Sequence, residues 1–501
     1  MRNFSGYLRQ FEPALRELLE RDLDVHIARD RDDDMRGNEW AAVLQAEFPR
    51  LTWSQTPHPS SDRWYHLRRE VRLTADYAGF LAPEYASLPE IVDRSRRRAS
   101  DRVVAAFEGS RSPLRLRALR ALATRTLETV EHALPSSAAA RRYIRDLRPD
   151  VVLLTPHLMP GSLHPDFLRA AIDLGLPTVL CVASWDNLSS KQHIRSRPDV
   201  VTVWNETQRS EAIERHAIEP KRIAVTGAQV YDPWFTWPAR PRDEFCARVG
   251  LPADRAYVLY AGGALFPAQW TEAQWAERWL TALRAAPQEE LRDLAVLVRP
   301  HPKRFAEWEK VDFGRFGDVA LWPQEGRMPV DAGARADFFD SLYHSSGVVG
   351  INTSAMIEAA IAGKRVHTVL VPEFSDSQHG TLHFRFLTEV GGGVVQEAAS
   401  LDEHFAQLAI TVAGGGDDGG VSRGFLEAFV RPQGLDLPSA SVFADVVGRA
   451  ATHGRHRPPR PHPGRLALRF AMEPLRVGFH GAGVGRHRRK RAVGAARRSS
   501  T

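Results

Sequence analysis

The chain has 501 residues, 43% hydrophobic and 26% charged, a globular composition too long for one ordinary domain. Its two cysteines, Cys181 in an apolar run and Cys246 on an expected helix, read as reduced packing thiols, and no CxxC or Cys/His cluster has zinc spacing. The net charge of +6 is uneven: residues 453–501 hold thirteen Arg or Lys against one acid, Glu473, a net of +12, which leaves a body of −6.

Met1-Arg2-Asn3-Phe4 opens without the apolar run of a signal peptide, and no stretch approaches the roughly 18 apolar residues of a membrane span. The expected compartment is the cytoplasm. Gly6–Glu20 reads as a loop entering an amphipathic helix, and Leu23–Ala28 as a strand. A doubly wound domain ordinarily opens with a strand before such a loop, so either the first strand is missing or the native start lies upstream. Residues 62–147 are Arg-rich and helical, without strand signals.

Beyond them, short apolar runs alternate with helical patterns. The runs are Val151–Leu154, Thr178–Ala183, Asp199–Trp204, Arg222–Thr226, Tyr257–Tyr260, Leu294–Val298, Gly347–Ile351 and Arg365–Val371. The helices between them include Asp166–Leu174, Glu206–His216, Glu272–Ala285 and Ser354–Ala362. Continuous apolar strands alternating with helices imply parallel sheets covered on both faces. The expected fold class is α/β, with two facing doubly wound Rossmann-like domains. The domains expected are 1–235 and 236–452, divided where Asp232-Pro233 and Trp237–Arg242 break periodicity. Residues 453–501 form a Pro/Gly/Arg-rich tail, expected to be mostly disordered, with one Arg-flanked amphipathic stretch at Leu466–Leu475.

Five segments carry candidate chemistry. Gly350–Glu358 ends a strand and starts a helix. Asn352, Thr353 and Ser354 there suit a phosphate at a positive helix end, with Glu358 one turn on for ribose hydroxyls; an ordinary capped helix fits equally. Arg299, His301 and Lys303 follow a strand between two prolines, where Arg and His can hold phosphate or form a solvated basic loop. Gly262-Gly263 follows another strand and admits close approach of a ligand or of the opposite domain. Trp185-Asp186-Asn187 and Lys191 follow the 178–183 strand. Asp186 there is either a proton acceptor or part of a turn and helix cap. His379, Thr381, His383 and Arg385 suit phosphate or sugar, or simple packing; HxxxH spacing alone, with no third ligand, does not make a zinc site. There is no GxSxG elbow, Walker A loop or GxGxxG fingerprint.

Together these segments resemble the GT-B glycosyltransferase superfamily. The resemblance is closest to bacterial envelope-polymer enzymes near the CDP-glycerol glycerophosphotransferases and the UDP-GlcNAc 2-epimerases. Gly6–Pro13 with Leu18–Arg21 looks like that fold's first loop and helix, and Arg299-Pro300-His301-Pro302 and Thr353-Ser354…Glu358-Ala359…Gly363 look like its donor site. Glycerophosphotransferases tend to carry His-Gly where this chain has Trp185-Asp186-Asn187, which favours sugar transfer over glycerol-phosphate transfer. The resemblance implies a metal-independent glycosyltransferase moving a sugar from a nucleotide-diphosphate donor to a cell-envelope glycan or lipid acceptor. In that reading Asp186 and His301 are catalytic. Gly262, Gly263, Arg299, Lys303, Asn352, Thr353, Ser354, Glu358, His379 and Thr381 face the donor, and Gly6, Arg9, Trp185, Asn187 and Lys191 face the acceptor. No cofactor and no metal are expected. The alternatives are a UDP-sugar 2-epimerase, a CDP-glycerol-type transferase, and a non-catalytic protein binding nucleotide sugar or an anionic surface. The tail suits an anionic membrane at the inner face of the plasma membrane; without interleaved Tyr or Trp it does not suit nucleic acid.

Overall fold

The structure is a computed structural model that describes residues 4–30, 38–57, 62–86, 88–155, 162–326, 329, 331–414, 419–458 and 463–478. Twelve described strands, all parallel, make three sheets. β1 (Val25–Arg29) and β2 (Leu51–Gln55) pair alone. β3 (Val152–Leu154), β4 (Thr178–Cys181), β5 (Val200–Val203) and β6 (Ile223–Val225) form a second sheet in chain order. β7 (Tyr257–Ala261), β8 (Ala295–Arg299), β9 (Val319–Leu321), β10 (Gly347–Val349), β11 (Val366–Val369) and β12 (Val395–Ala398) form the third, ordered β12-β11-β10-β7-β8-β9.

Side-chain alternation explains the layers. In β7, Tyr257 and Leu259 enter one core while Val258 and Tyr260 enter another on the opposite face; in β8, Ala295 and Leu297 part in the same way from Val296 and Val298. Each strand is therefore buried on both sides, and helices cover both faces. The four-stranded sheet repeats this, with Val179 and Cys181 in one core and Leu180, Val201 and Val203 in another. Both cysteines are buried.

The eight strands and four helices expected from the apolar pattern all form. Two features add to that reading. Gly6 lies in a helix, Phe4–Glu20, because Tyr7, Leu8, Phe11, Leu15, Leu18 and Leu19 already form a buried stripe from its first turn. The expectation about an opening strand before this helix falls outside the described residues. Helix Ser439–Thr452, at the end of the expected 236–452 domain, packs on the first half: Phe443, Ala444 and Val447 lie against Phe11, Val179 and Cys181.

Within the Arg-rich flank, five helices cover 65–147. Its arginines are not merely solvated. Arg68 pairs with Asp62 at 2.7 Å and with Asp166 at 2.8 Å, and Arg72 pairs with Glu131 at 2.9 Å and with Asp166 at 3.3 Å, all five side chains being buried. This network ties the flank to helix His164–Asp173 beside the four-stranded sheet. Of the basic tail, 463–478 is a helix at the expected amphipathic stretch; Leu468 and Met472 pack on Leu67, Val71 and Val130 of the flank.

Removing Asp166 leaves two buried guanidinium groups short of a partner, so Asp166→Ala is expected to cost about 3–5 kcal/mol. Urea denaturation of the variant beside the wild type measures this; an unchanged midpoint contradicts it.

Candidate functional site

The six-stranded sheet reverses direction between β7 and β10. From β7 the chain proceeds to β8 on one side, and from β10 to β11 on the other. Crossovers leaving neighbouring strands in opposite directions open a crevice at their carboxyl ends, the place where open α/β sheets take ligands. Gly262-Gly263 follows β7 and Gly350–Glu358 follows β10, so the two segments flank this point.

Glycine is required there by proximity. A Cβ on Gly263 would lie 2.4 Å from the Asn352 carbonyl oxygen, one on Gly350 would lie 2.7 Å from the Ala261 oxygen, and one on Gly262 would lie 3.0 Å from the His301 nitrogen. The glycine N–H groups are already engaged, Gly262 donating to the Arg299 carbonyl at 2.9 Å and Gly263 to Glu272 Oε2 at 2.8 Å. Gly262 and Gly263 therefore bring loops together and do not themselves offer donors to a ligand. The amides of Thr353 and Ser354 have no partner among the described residues.

Around the crevice, charge comes from both halves of the chain. Arg299 ends β8, is buried, and donates to Ser341 Oγ at 3.2 Å over the Phe338 ring, with no carboxylate in ion-pair contact. Burial takes its pKa down to about 10, opposed by Asp337 and Glu358. Arg9, from the first helix, acts electrostatically on Glu358, on His301 and on Tyr231. Its Nε is buried without a hydrogen-bond partner. Burial pushes the Glu358 carboxyl up to about 7, even against Arg9 and Arg299. Burial, then Lys303, Arg304 and Arg9, take His301 down to about 4, so its ring is neutral near pH 7. Its Nδ1 accepts the Lys303 N–H at 3.2 Å, which places the proton on Nε2 and makes Nε2 a donor. Arg9 and Arg299 thus both act electrostatically on Glu358, and Arg9 also acts on His301. Lys303 is exposed, and Asn352 donates its side-chain amide to the Ser377 carbonyl.

The acceptor-side candidates divide differently. Trp185 is buried in the core of the second half and meets His383 edge-on at 4.9 Å, so it anchors one half on the other. Asn187 spans its own turn, accepting the Ala183 N–H at 3.2 Å and donating to Asp186 at 3.2 Å. Asp186 accepts from Lys191 Nζ at 2.7 Å and from Ser190 Oγ at 3.0 Å. Burial alone would raise its pKa, but Lys191, His383 and these hydrogen bonds outweigh burial and hold it well below the usual carboxylate range. A carboxylate so satisfied has little proton affinity, and the role of base does not fit it. Gly6 sits three residues before Arg9 on the same helix and brings no functional group.

Two further candidates are occupied elsewhere. His379 Nε2 pairs with Glu397 at 2.7 Å, and Thr381 caps helix Leu382–Glu389 by accepting the Phe384 N–H. His383, which sequence reading leaves open as a packing residue, instead lies in the field of Asp186, Lys191 and Arg94. Burial lowers its pKa to about 4, leaving a neutral imidazole beside a fixed carboxylate. Glu272 was also missed; it is buried behind Gly263, pushed up to about 8 by burial and by Glu307. Its place at the start of an amphipathic helix gave no sign of this. Among the described residues no group of three His, Cys, Asp or Glu is arranged to hold a metal ion.

Glu358 carries a checkable linkage. Its folded value near 7 exceeds the ordinary 4.5, so the folded state holds the proton more tightly, and stability falls as pH rises from 4.5 through 7. Glu358→Gln removes that fall. The variant is expected to match the wild type below pH 4.5 and to exceed it by about 3 kcal/mol at pH 8. Denaturant unfolding at both pH values measures the difference, and an equal gap at both refutes the assignment.

No protein-family model matches the chain, and no curated protein matches it. Among solved structures, the fold is similar to the UDP-GlcNAc 2-epimerase from Methanocaldococcus jannaschii, 12% identical over 88% of this chain and 96% of that one, with a TM-score of 0.47. It is similar to the UDP-GlcNAc 2-epimerase from Neisseria meningitidis bound to UDP-GlcNAc, 11% identical over 90% and 98%, TM-score 0.47. It is also similar to WaaG, a glycosyltransferase involved in lipopolysaccharide biosynthesis, 13% identical over 89% and 96%, TM-score 0.43. Similarity at this level does not say which residues act.

Proposed function

We propose that this protein is a transferase that moves a sugar from a nucleotide-diphosphate donor to a glycan or lipid acceptor. The observation that carries the reading is the convergence, at the switch point of the six-stranded sheet, of two arginines from opposite halves, a neutral histidine and one carboxylate. Arg9 and Arg299 suit a diphosphate, since guanidinium pairs with phosphate oxygens through two parallel N–H groups. His301 Nε2–H and the amides of Thr353 and Ser354 add donors. These groups stabilise negative charge as it builds on the leaving diphosphate, a task that metal ions perform at other sites. Glu358 accepts from ribose hydroxyls once ionised. The transferred sugar is taken from the motif resemblance. On the acceptor side His383 replaces Asp186 as the candidate base, with Asp186 and Lys191 fixing the charge around it.

Membrane contact belongs to the same proposal. The 463–478 helix leaves Phe470 77% and Val477 60% exposed, and the neighbouring helix start leaves Leu116 62% and Leu122 61% exposed. Arginines 465, 469 and 476 accompany them, the combination that suits an anionic bilayer surface. Among the described residues no helix is long and apolar enough to cross a membrane.

Calorimetric titration with UDP, CDP and GDP tests the donor reading. One of them is expected to bind, and Arg299→Met and Arg9→Met are each expected to weaken it about tenfold or more. No binding by any of the three rejects the reading. For the surface, full-length protein is expected to sediment with phosphatidylglycerol vesicles and a chain ending at residue 462 to remain in solution; equal sedimentation of both removes the tail from the role.

A further inference from the structure

The loop after β7 is closed at its base by one side chain. The Gly263 N–H donates to Glu272 Oε2 at 2.8 Å, across the nine residues that separate them. Glu272 opens helix Glu272–Arg284, whose start is fixed by the capping box of Thr271 and Gln274. Two further contacts pin the loop between them. Arg304 donates to the Leu265 carbonyl at 3.0 Å, and the Phe266 N–H donates to Ser377 Oγ at 2.9 Å. Ser377 also accepts the Asn352 side-chain amide through its carbonyl, and a Cβ on Gly263 would lie 2.4 Å from the Asn352 carbonyl oxygen. The loop therefore bears on the segment that carries the amides of Thr353 and Ser354, which have no partner among the described residues. Glu272 is 4% exposed, and its second oxygen, Oε1, is buried without a hydrogen-bond partner. The Tyr260 hydroxyl, in its field, is buried without one as well. Unsatisfied buried polar atoms cost stability, so stability alone does not account for this carboxyl group. Burial, with Glu307, outweighs the Gly263 hydrogen bond and Arg304 and pushes it up to about 8. At pH 7 it is therefore neutral and sets no negative charge behind Gly263.

We propose that Glu272 is a positioning residue of the donor site: through Gly263 it holds the loop after β7 against Asn352 and so places the Thr353 and Ser354 amides for the diphosphate. The ligand named here rests on the donor reading above; the clamp stands on the hydrogen bonds. Glu272 acts through Gly263 and does not itself meet the nucleotide. Because the carboxyl group is neutral at pH 7, glutamine is its close isostere and offers the Gly263 N–H the same kind of acceptor. Alanine leaves that N–H buried without an acceptor, and the loop must shift to satisfy it. The effect falls on the phosphate end of the nucleotide, since Gly263 abuts Asn352 while the ribose is assigned to Glu358, one turn into the helix.

Calorimetric titration at pH 7 uses whichever of UDP, CDP and GDP binds the wild type most tightly. Glu272→Ala is expected to weaken that diphosphate about tenfold or more, and Glu272→Gln to stay within about threefold of the wild type. The matching nucleoside, measured by competition, is expected to bind all three proteins alike. Unchanged diphosphate affinity in folded Glu272→Ala overturns the proposal, and so does an equal loss for diphosphate and nucleoside, which marks general loosening of the half. Hydrogen exchange gives a second reading that needs no ligand. Glu272→Ala is expected to speed exchange in segment 261–270 and also in segment 350–356, and Glu272→Gln in neither. Acceleration confined to 261–270 shows that the clamp does not reach the donor segment and overturns the proposal. If no nucleotide binds the wild type, the donor reading fails by itself, and the exchange at 350–356 still decides whether Glu272 places that segment. Circular-dichroism melting checks that each variant is folded; Glu272→Leu, similar in length and without an acceptor, takes the place of Glu272→Ala if the latter does not fold.

Discussion

Adjacent loops at the switch point of the six-stranded sheet stand so close that a single methyl group would not fit between them. The loop after β7 touches the loop after β10 at Gly263 and Asn352, and the loop after β8 at Gly262 and His301. Everything chemical in the second half follows from that contact. It fixes Arg299 and His301 on one side of the crevice and Glu358 on the other. Glu358, one turn into the helix that follows β10, is buried, and burial brings its proton affinity near neutrality.

Against that compact half, the first half contributes by reaching across. Arg9 enters the field of Glu358 and His301, Trp185 is buried in the opposite core, and Glu12 pairs with Arg335 at 2.9 Å. The site is therefore composite: neither half holds the complete set of charges. The helical flank joins this arrangement through Arg94, while its buried ion-pair network holds it rigid on the four-stranded sheet.

The central strands were legible in the sequence because burial on both faces writes a continuous apolar run. β2, β9 and β12 were not, and all three are edge strands. Leu51–Gln55 and Val395–Ala398 mix polar and apolar residues because one side meets solvent, and Val319–Leu321 is only three residues long. The loops carrying Arg299, His301 and Glu358 were legible for the same reason as the strands, since strand ends locate them. What stayed hidden depends on contacts between distant segments. His379 and His383 look alike in sequence, yet one pairs with Glu397 on an edge strand and the other faces Asp186 from the first half. Asp186 reads as a base in the sequence, but two neighbouring donors, Asn187 and Ser190, together with Lys191 stabilise its charge. Arg94 was one of many arginines in a helical stretch, and only the fold separates it from those in ion pairs.

Helix Ser439–Thr452 returns to the first half, so the chain crosses between the halves twice. The two crossings run side by side: Ala228 donates its N–H to the Val430 carbonyl at 2.8 Å, and Asp232 accepts from Arg431 at 2.7 Å and from the amides of Ser439 and Ala440. A body held by one tether can twist as well as tilt, whereas one held by two bonded tethers keeps its azimuth and swings about the line through both. Two bonded crossings therefore resist twist of one half against the other, which keeps Arg9 of the first half in register with Glu358 of the second.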